Sequence, residues 1–171
     1  MTPPELHRPH ATDRIATAGQ TIEIRADPTE CAAIAERLGI PAVHTLICRF
    51  DVTRLLDGRS GEILAEGHLR ARLDRECVVT LERFTMTVDE RFRVRFVPEG
   101  LEDEGDDPES DDDIPYAGTA IDLGEAAVEQ LALTLDPYPR KPGATLPPEA
   151  TDPEEGPFAA LQALARRGQP S

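Results

Sequence analysis

Apolar and polar residues alternate most sharply between Ile63 and Asp74. Ile63, Ala65, Gly67, Leu69, Ala71 and Leu73 face one way, and Glu66, His68, Arg70, Arg72 and Asp74 face the other. A period of two marks a strand with one wet face. The same period recurs on both sides of this segment. Before it, Leu46, Cys48, Phe50 and Val52 oppose Ile47, Arg49, Asp51 and Thr53 within 43–55; after it, Met86, Val88, Phe92, Val94 and Phe96 oppose Thr85, Thr87, Asp89, Arg91, Arg93 and Arg95. The middle strand is expected to run on toward Leu81 through a bend or bulge. Residues 57–61 predict a turn, and Ile22, Ile24 and Ala26 predict a first short strand.

The period changes to that of a helix twice. Asp27, Pro28 and Glu30 stand at the N-cap, first and third positions of a helix whose face carries Cys31, Ile34, Ala35 and Leu38 and which stops at Gly39. Asp122 starts the second helix, with Glu125 placed to reach back to it and Val128, Leu131, Ala132 and Leu135 on one face; Pro137 and Pro139 end it. The order predicts a single α+β domain: an antiparallel sheet of about four to five strands, with two helices packed on one face and the other face open. Residues 1–19 are polar and aperiodic and read as a flexible leader, 20–143 as the domain, and 144–171 as a proline- and acid-rich linker. Phe158, Leu161, Leu164 and Ala165 can form a short terminal helix, docked or awaiting a partner. Tyr116 to Ala120 suggest a short edge strand.

Charge sharpens this picture. The 171 residues hold 33 acidic and 18 basic side chains, a formal charge of −15, which argues against a surface that binds polyanions everywhere. Ten of the carboxylates lie in residues 98–115, without which the charge falls to −5. That insert cannot bury enough apolar surface to offset its ordering entropy and is expected to be mobile. It reads most simply as a solvated loop, or else as a nucleic-acid mimic that shields the arginines or holds a basic partner; a calcium loop is disfavoured because the required glycine and terminal glutamate are missing. No stretch of about twenty apolar residues could span a bilayer and no apolar signal core follows Met1, so a cytoplasmic chain is expected. Cys31, Cys48 and Cys77 are odd in number and widely spaced, which fits reduced core thiols.

Strand periodicity puts Arg70 and Arg72 on one side of one strand, and Arg91, Arg93 and Arg95 on one side of another. If the strands pair, five guanidiniums share a face suited to phosphate oxygens. The competing reading is an ordinary solvated surface neutralised by Glu66, Asp74, Glu76 and Asp89. The chain has no tryptophan and no interleaved aromatics on that face, so base-specific reading is not expected. Arg140 and Lys141, displayed between prolines, either contact phosphate or carboxylate or satisfy the last helix carbonyls. No nucleophile elbow, phosphate-binding glycine loop or dinucleotide fingerprint occurs, so no catalytic residue and no cofactor is expected.

Residues 121–143, IDLGEAAVEQLALTLDPYPRKPG, follow the strand pair CVVTLERFTMTVDERFRVRFVPE and the acidic insert. This arrangement resembles the YceD family over roughly residues 20–143. The resemblance implies a non-enzymatic ribosome-biogenesis factor supporting accumulation of large-subunit (23S) ribosomal RNA. Its implied partners are that RNA or its precursor and a basic large-subunit ribosomal protein, with neither membrane nor DNA. Members of that family are often encoded beside a zinc-containing large-subunit ribosomal protein, which keeps open an alternative: an acidic, chaperone-like module that binds a basic ribosomal protein without touching RNA. Many members also carry a CxxC-like pair at the strand matching CVVT and further cysteines after the last helix, a zinc arrangement. Here the pair is Cys77 and Thr80 and the later segment has no cysteine, so no metal is expected.

Overall fold

The computed structural model describes residues 4–55, 61–100 and 112–145. Three long strands, β3 (Ala42–Arg54), β4 (Ile63–Glu76) and β5 (Arg83–Pro98), form an antiparallel meander. β2 (Gln20–Arg25) pairs antiparallel with β3 on one side, and β6 (Asp112–Tyr116) pairs with β5 on the other, giving the order β2-β3-β4-β5-β6. A second, two-stranded sheet joins β1 (Pro9–Ala11) to β7 (Ala120–Asp122). Helices α1 (Pro28–Leu38) and α2 (Leu123–Thr134) complete the α+β domain.

The alternation predicted for β4 and β5 is realised. Ile63, Ala65, Leu69 and Leu73 from β4 are buried with Leu46, Cys48, Phe50 and Val52 from β3 and Val88, Val94 and Phe96 from β5, and Ile34, Leu123, Ala127 and Leu131 from the helices join the same core. Gly67 sits in that inward row for a steric reason. Phe92, its cross-strand partner, lies over the glycine to meet Phe50 edge-on at 5.6 Å, and a Cβ at Gly67 would come within 2.1 Å of the Phe92 ring. β4 itself ends at Glu76, and residues 77–82 make the turn, with Leu81 held at φ 58°.

Both helix starts carry the expected caps, but they differ in one half. Asp27 accepts from the amides of Thr29 and Glu30, and Glu30 accepts from the Asp27 amide. Asp122 accepts from the amides of Gly124 and Glu125, yet Glu125 does not reach back. Its carboxylate is taken instead by both terminal nitrogens of Arg37, at 2.9 and 2.7 Å, which ties α2 to α1. Ala132, expected on the buried face, is exposed; the buried side of α2 is Leu123, Ala126, Ala127, Val128, Gln130 and Leu131.

Two segments expected to be mobile are ordered. Residues 4–19, read as part of a flexible leader, strap across the helix starts. Leu6 and Ile15 are buried, each contributing about 1.5–3 kcal/mol. The Arg8 guanidinium forks onto Glu30 at 2.8 and 2.9 Å, the Arg8 amide donates to Asp122, and His7 contacts the same carboxylate. Polar composition concealed these few anchors. The end of the acidic insert is the second case: Asp112–Tyr116 pairs parallel with Val94–Pro98, making the sheet mixed, because Ile114 and Tyr116 pack against the core and Asp113 meets Arg95. The expected edge strand over Tyr116–Ala120 is therefore divided, with β6 ending at Tyr116 and β7 starting at Ala120. Residues 101–111 of the insert, most of the 57–61 turn and the terminal segment around Phe158 lie outside the described residues.

The strap rests directly on α2. A Cβ at Gly124 would sit 2.1 Å from the Leu6 carbonyl oxygen. Gly124→Ala should therefore lift the strap and destabilise the domain by about 1–3 kcal/mol in denaturant unfolding. The strap should also respond to acid. The Arg8 guanidinium holds the Glu30 carboxyl below its ordinary value, and a backbone hydrogen bond followed by Arg37 does the same for Glu5. Both bind a proton less readily in the fold than in the open chain, so their stabilisation is complete above about pH 5 and is lost as pH falls through the lower folded values. Amide exchange between pH 6 and 3 should show residues 5–14 opening before β3 to β5.

Candidate nucleic-acid interface on the open sheet face

The register of β3, β4 and β5 arranges the outward side chains in cross-strand rows. Glu66 stands opposite Arg93, His68 opposite Arg91, Arg70 opposite Asp89, Arg72 opposite Thr87 and Leu64 opposite Arg95. The five arginines singled out in the strand pattern thus occupy one face. β3 extends the rows, placing Asp51 beside Glu66, Arg49 beside His68, Ile47 beside Arg70 and Thr45 beside Arg72; β2 adds Arg25 beside Ile47. Arg49 and Arg25 were not among the residues singled out. The alternation around Cys48 and Phe50 turns Arg49 outward, but only the register shows that it completes a row of Arg49, His68 and Arg91.

Carboxylates share this face, and their partners decide what remains. Asp51 accepts from the Thr21 hydroxyl; Asp89 bonds His68 Nε2 at 2.7 Å; Asp74 accepts from Thr85 at 2.7 Å and lies 3.0 Å from His44 Nε2; Glu66 is 3.6 Å from Arg93 Nε. The His68 bond holds the Asp89 carboxyl below its usual range, and the Thr85 hydroxyl, then His44, does the same for Asp74. Asp113 receives Arg95 through Nε at 2.8 Å and Nη2 at 3.0 Å, both side chains being about four-fifths buried. Arg49, Arg70, Arg72 and Arg91 are held in no ion pair among the described residues, although Glu23 stands opposite Arg49, and Asp89 and Asp74 also feel the charges of Arg70, Arg91 and Arg72. Their charge is available to a ligand.

Between two rows lies an open depression of about 570 Å³, walled by Arg49, His68 and Arg91 on one side and Asp51, Glu66 and Arg93 on the other. Its floor is the backbone of Gly67 and Phe92. Ile47, Thr45 and Thr87 line a second shallow groove beside Arg70 and Arg72. No aromatic ring stands on these rows, so the face offers guanidinium forks and hydroxyls and no stacking platform. Phosphate oxygens suit that donor set better than bases do.

Arg140 and Lys141 stand outside the cross-strand rows. Lys141 Nζ bonds Glu82 Oε2 at 3.1 Å across the β4–β5 turn, and Arg140 borders a groove at the edge of β5 that Phe84 and Met86 line together with Thr85 and Thr87 of the outward face. The segment after α2 is tied to the turn by its backbone as well, the Val78 amide donating to the Pro139 carbonyl at 2.9 Å. Cys77 lies buried at this junction. The Thr80 hydroxyl, aided by the amides of Lys141, Thr80 and Val79, lowers its thiol to about 7. Such a pocket of donors stabilises one thiolate but supplies no further sulfur. Thr80 offers a hydroxyl, residues 139–141 offer backbone, and no three His, Cys, Asp or Glu side chains converge among the described residues, so these groups do not make a zinc set.

The sheet is covered by helices on one face and presents arginine-bearing rows on the other. The chain belongs to the YceD family: the family model described as large ribosomal RNA subunit accumulation protein YceD matches residues 65–165. No curated protein and no solved structure matches the chain. The matched region begins within β4 and takes in both arginine strands, the acidic insert and α2. Among the described residues no helix is long and apolar enough to cross a membrane.

The Arg95 to Asp113 pair closes the sheet edge. Asp113→Asn should weaken the attachment of β6 by about 1–2 kcal/mol. The amides of Ile114 and Tyr116 should then exchange roughly 5- to 30-fold faster, while β3 and β4 keep their protection; equal exchange would show that the pair does not hold the strand.

Proposed function

We propose that this chain is a non-enzymatic ribosome-biogenesis factor that holds large-subunit ribosomal RNA or its precursor through the outward face of β3, β4 and β5. The observation that carries this reading is the set of four guanidiniums, Arg49, Arg70, Arg72 and Arg91, held in no ion pair among the described residues, on a face where Asp51, Asp74 and Asp89 are hydrogen-bonded to hydroxyls or histidines. Family membership supplies the link to large-subunit ribosomal RNA. Arg93 stands within the same rows, and Arg95 braces their end against Asp113. Arg140 and, beside the turn, Lys141 offer a separate cationic contact.

Guanidinium forks on a stiff sheet fit the phosphate backbone of structured RNA, with shape and not base identity selecting the site. Strand residues two apart lie about 6.7 Å apart, so Arg70 and Arg72 address neighbouring positions along a ligand. Binding of this kind is salt-dependent because each neutralised phosphate releases counterions. The acidic balance of the remaining surface limits contact to this face.

Reversal of Arg70, Arg72 and Arg91 to glutamate should weaken binding to a large-subunit ribosomal RNA fragment about 10- to 100-fold near 0.1 M salt and reduce the salt slope by roughly three. The same variant, as the sole copy in a deletion strain, should lower large-subunit relative to small-subunit ribosomal RNA. A folded variant with unchanged RNA binding would reject the assignment. Unchanged RNA binding together with lost capture of a basic ribosomal protein would transfer the face to that protein.

A further inference from the structure

The outward face does not end at its arginine rows. Thr87, which stands opposite Arg72, lines two depressions at once: the shallow groove beside Arg70 and Arg72, and a groove of about 500 Å³ at the edge of β5. Phe84, Met86, Pro139 and Pro142 give this second groove apolar walls, and Arg140 borders it. Thr85 and Thr87 reach it from the outward side of the strand, Phe84 and Met86 from the other, so the groove wraps the edge.

The chemistry of the groove suits a flat ligand with apolar faces and polar edges. Among the described residues no strand pairs with β5 on this side before Val94, so alternate amides and carbonyls from Phe84 to Thr87 point outward between the apolar walls. The far wall is fixed in place: the Val78 amide donates to the Pro139 carbonyl at 2.9 Å, and Arg75 Nη2 donates to the Asp136 carbonyl at 2.7 Å. Arg75 stands opposite Phe84 and is only 8% exposed, yet its Nη1 has no hydrogen-bond partner among the described residues. Asp136, the one carboxylate on the wall, accepts from the Tyr138 amide through Oδ1. Arg140 is exposed and, like Arg72, is held in no ion pair among the described residues.

We infer that this groove receives one unstacked nucleobase of the RNA whose phosphates lie along the arginine rows, an inference that rests on the RNA reading of that face. The base lays its faces against Phe84, Met86 and the two prolines, and its edge meets the outward backbone of β5, where donors and acceptors alternate. Its carbonyl oxygens and ring nitrogens bring acceptors to a site whose neighbouring Arg75 lacks one. The arginine rows carry no aromatic ring, so Phe84 supplies at the edge the contact that the rows do not. Every base has an apolar face, so the groove selects an unpaired position and not a base identity. A base held within a duplex stack cannot enter. An added protein strand would use the same edge, but the unpaired cations Arg72 and Arg140 beside it favour a polyanion.

Fluorescence anisotropy with the full-length chain tests this, using a fully paired RNA hairpin and the same hairpin with one unpaired adenosine in its stem. The bulged hairpin should bind about 5- to 30-fold more tightly. Phe84→Ala removes a half-buried ring that is not part of the core cluster, and Pro142→Glu places a like charge in the groove from an exposed position. Each should reduce the preference to less than about 2-fold and leave the affinity for the paired hairpin unchanged. Equal binding of the two hairpins by the natural chain overturns the inference and leaves the edge of β5 to an added protein strand. A preference that survives both substitutions overturns it by placing the unpaired base elsewhere. Amide shifts from Phe84 to Thr87 that move with protein concentration in the absence of RNA overturn it in favour of a second copy. Binding of neither hairpin would overturn the arginine-face reading together with this one, so the two failures are distinguishable.

Discussion

Everything on this molecule's open face depends on the pairing register of β4 with β5. Side chains alternate with a period of two, so a slip of one residue in either strand would carry its arginines into the core and its aliphatic residues into water. The pairing runs from Ile63 opposite Phe96 to Glu76 opposite Arg83 without a shift. Phe92 closing over Gly67 onto Phe50 marks the correct register, since no other residue of β4 could accept the ring so closely. Packing on the buried side thus determines which cations meet on the exposed one.

Charge on this protein is organised by commitment more than by sum. The chain carries far more carboxylates than bases, yet nearby acids on the open face are occupied by hydroxyls, histidines or the terminal arginines of the rows. The acids of the opposite surface are occupied as well, Glu30 by Arg8 and both Glu5 and Glu125 by Arg37. Those pairs fasten a strap and two helices, whereas Arg49, Arg70, Arg72 and Arg91 on the open face are held in no ion pair among the described residues. Separating paired from unpaired charge leaves a locally basic face on a strongly acidic chain.

Much of the fold was legible because it follows from local rules. Asp27, Pro28, Glu30 and Gly39 mark α1 by capping chemistry, and alternation marks the strands from β3 to β5 and the outward direction of each arginine. Other features depended on distant partners. Residues 4–19 look disordered by composition, but Leu6 and Ile15 reach buried sites and Arg8 reaches Glu30. Glu125 stands at the right spacing to complete a capping box, but Arg37 offers a charged partner, which a charge-assisted fork favours over a single amide. Arg49 was visible as an outward residue and invisible as a member of the row with His68 and Arg91, since that needs the β3 to β4 register.

By itself the sequence determined the two helices and the strands from β2 to β5, which side of β3, β4 and β5 is wet, and that the family is one linked to large-subunit ribosomal RNA. These are matters of period, capping and local motif, readable within a few residues. Tertiary structure alone decided which arginines stand in the same row, which carboxylates are consumed by partners, and that the acidic insert returns as a parallel strand against Arg95. It also set Lys141 on Glu82 across the β4–β5 turn and Arg140 on a groove at the edge of β5. Each of these turns on contacts between segments far apart in the chain, and such contacts are set by packing and register, which no local pattern encodes.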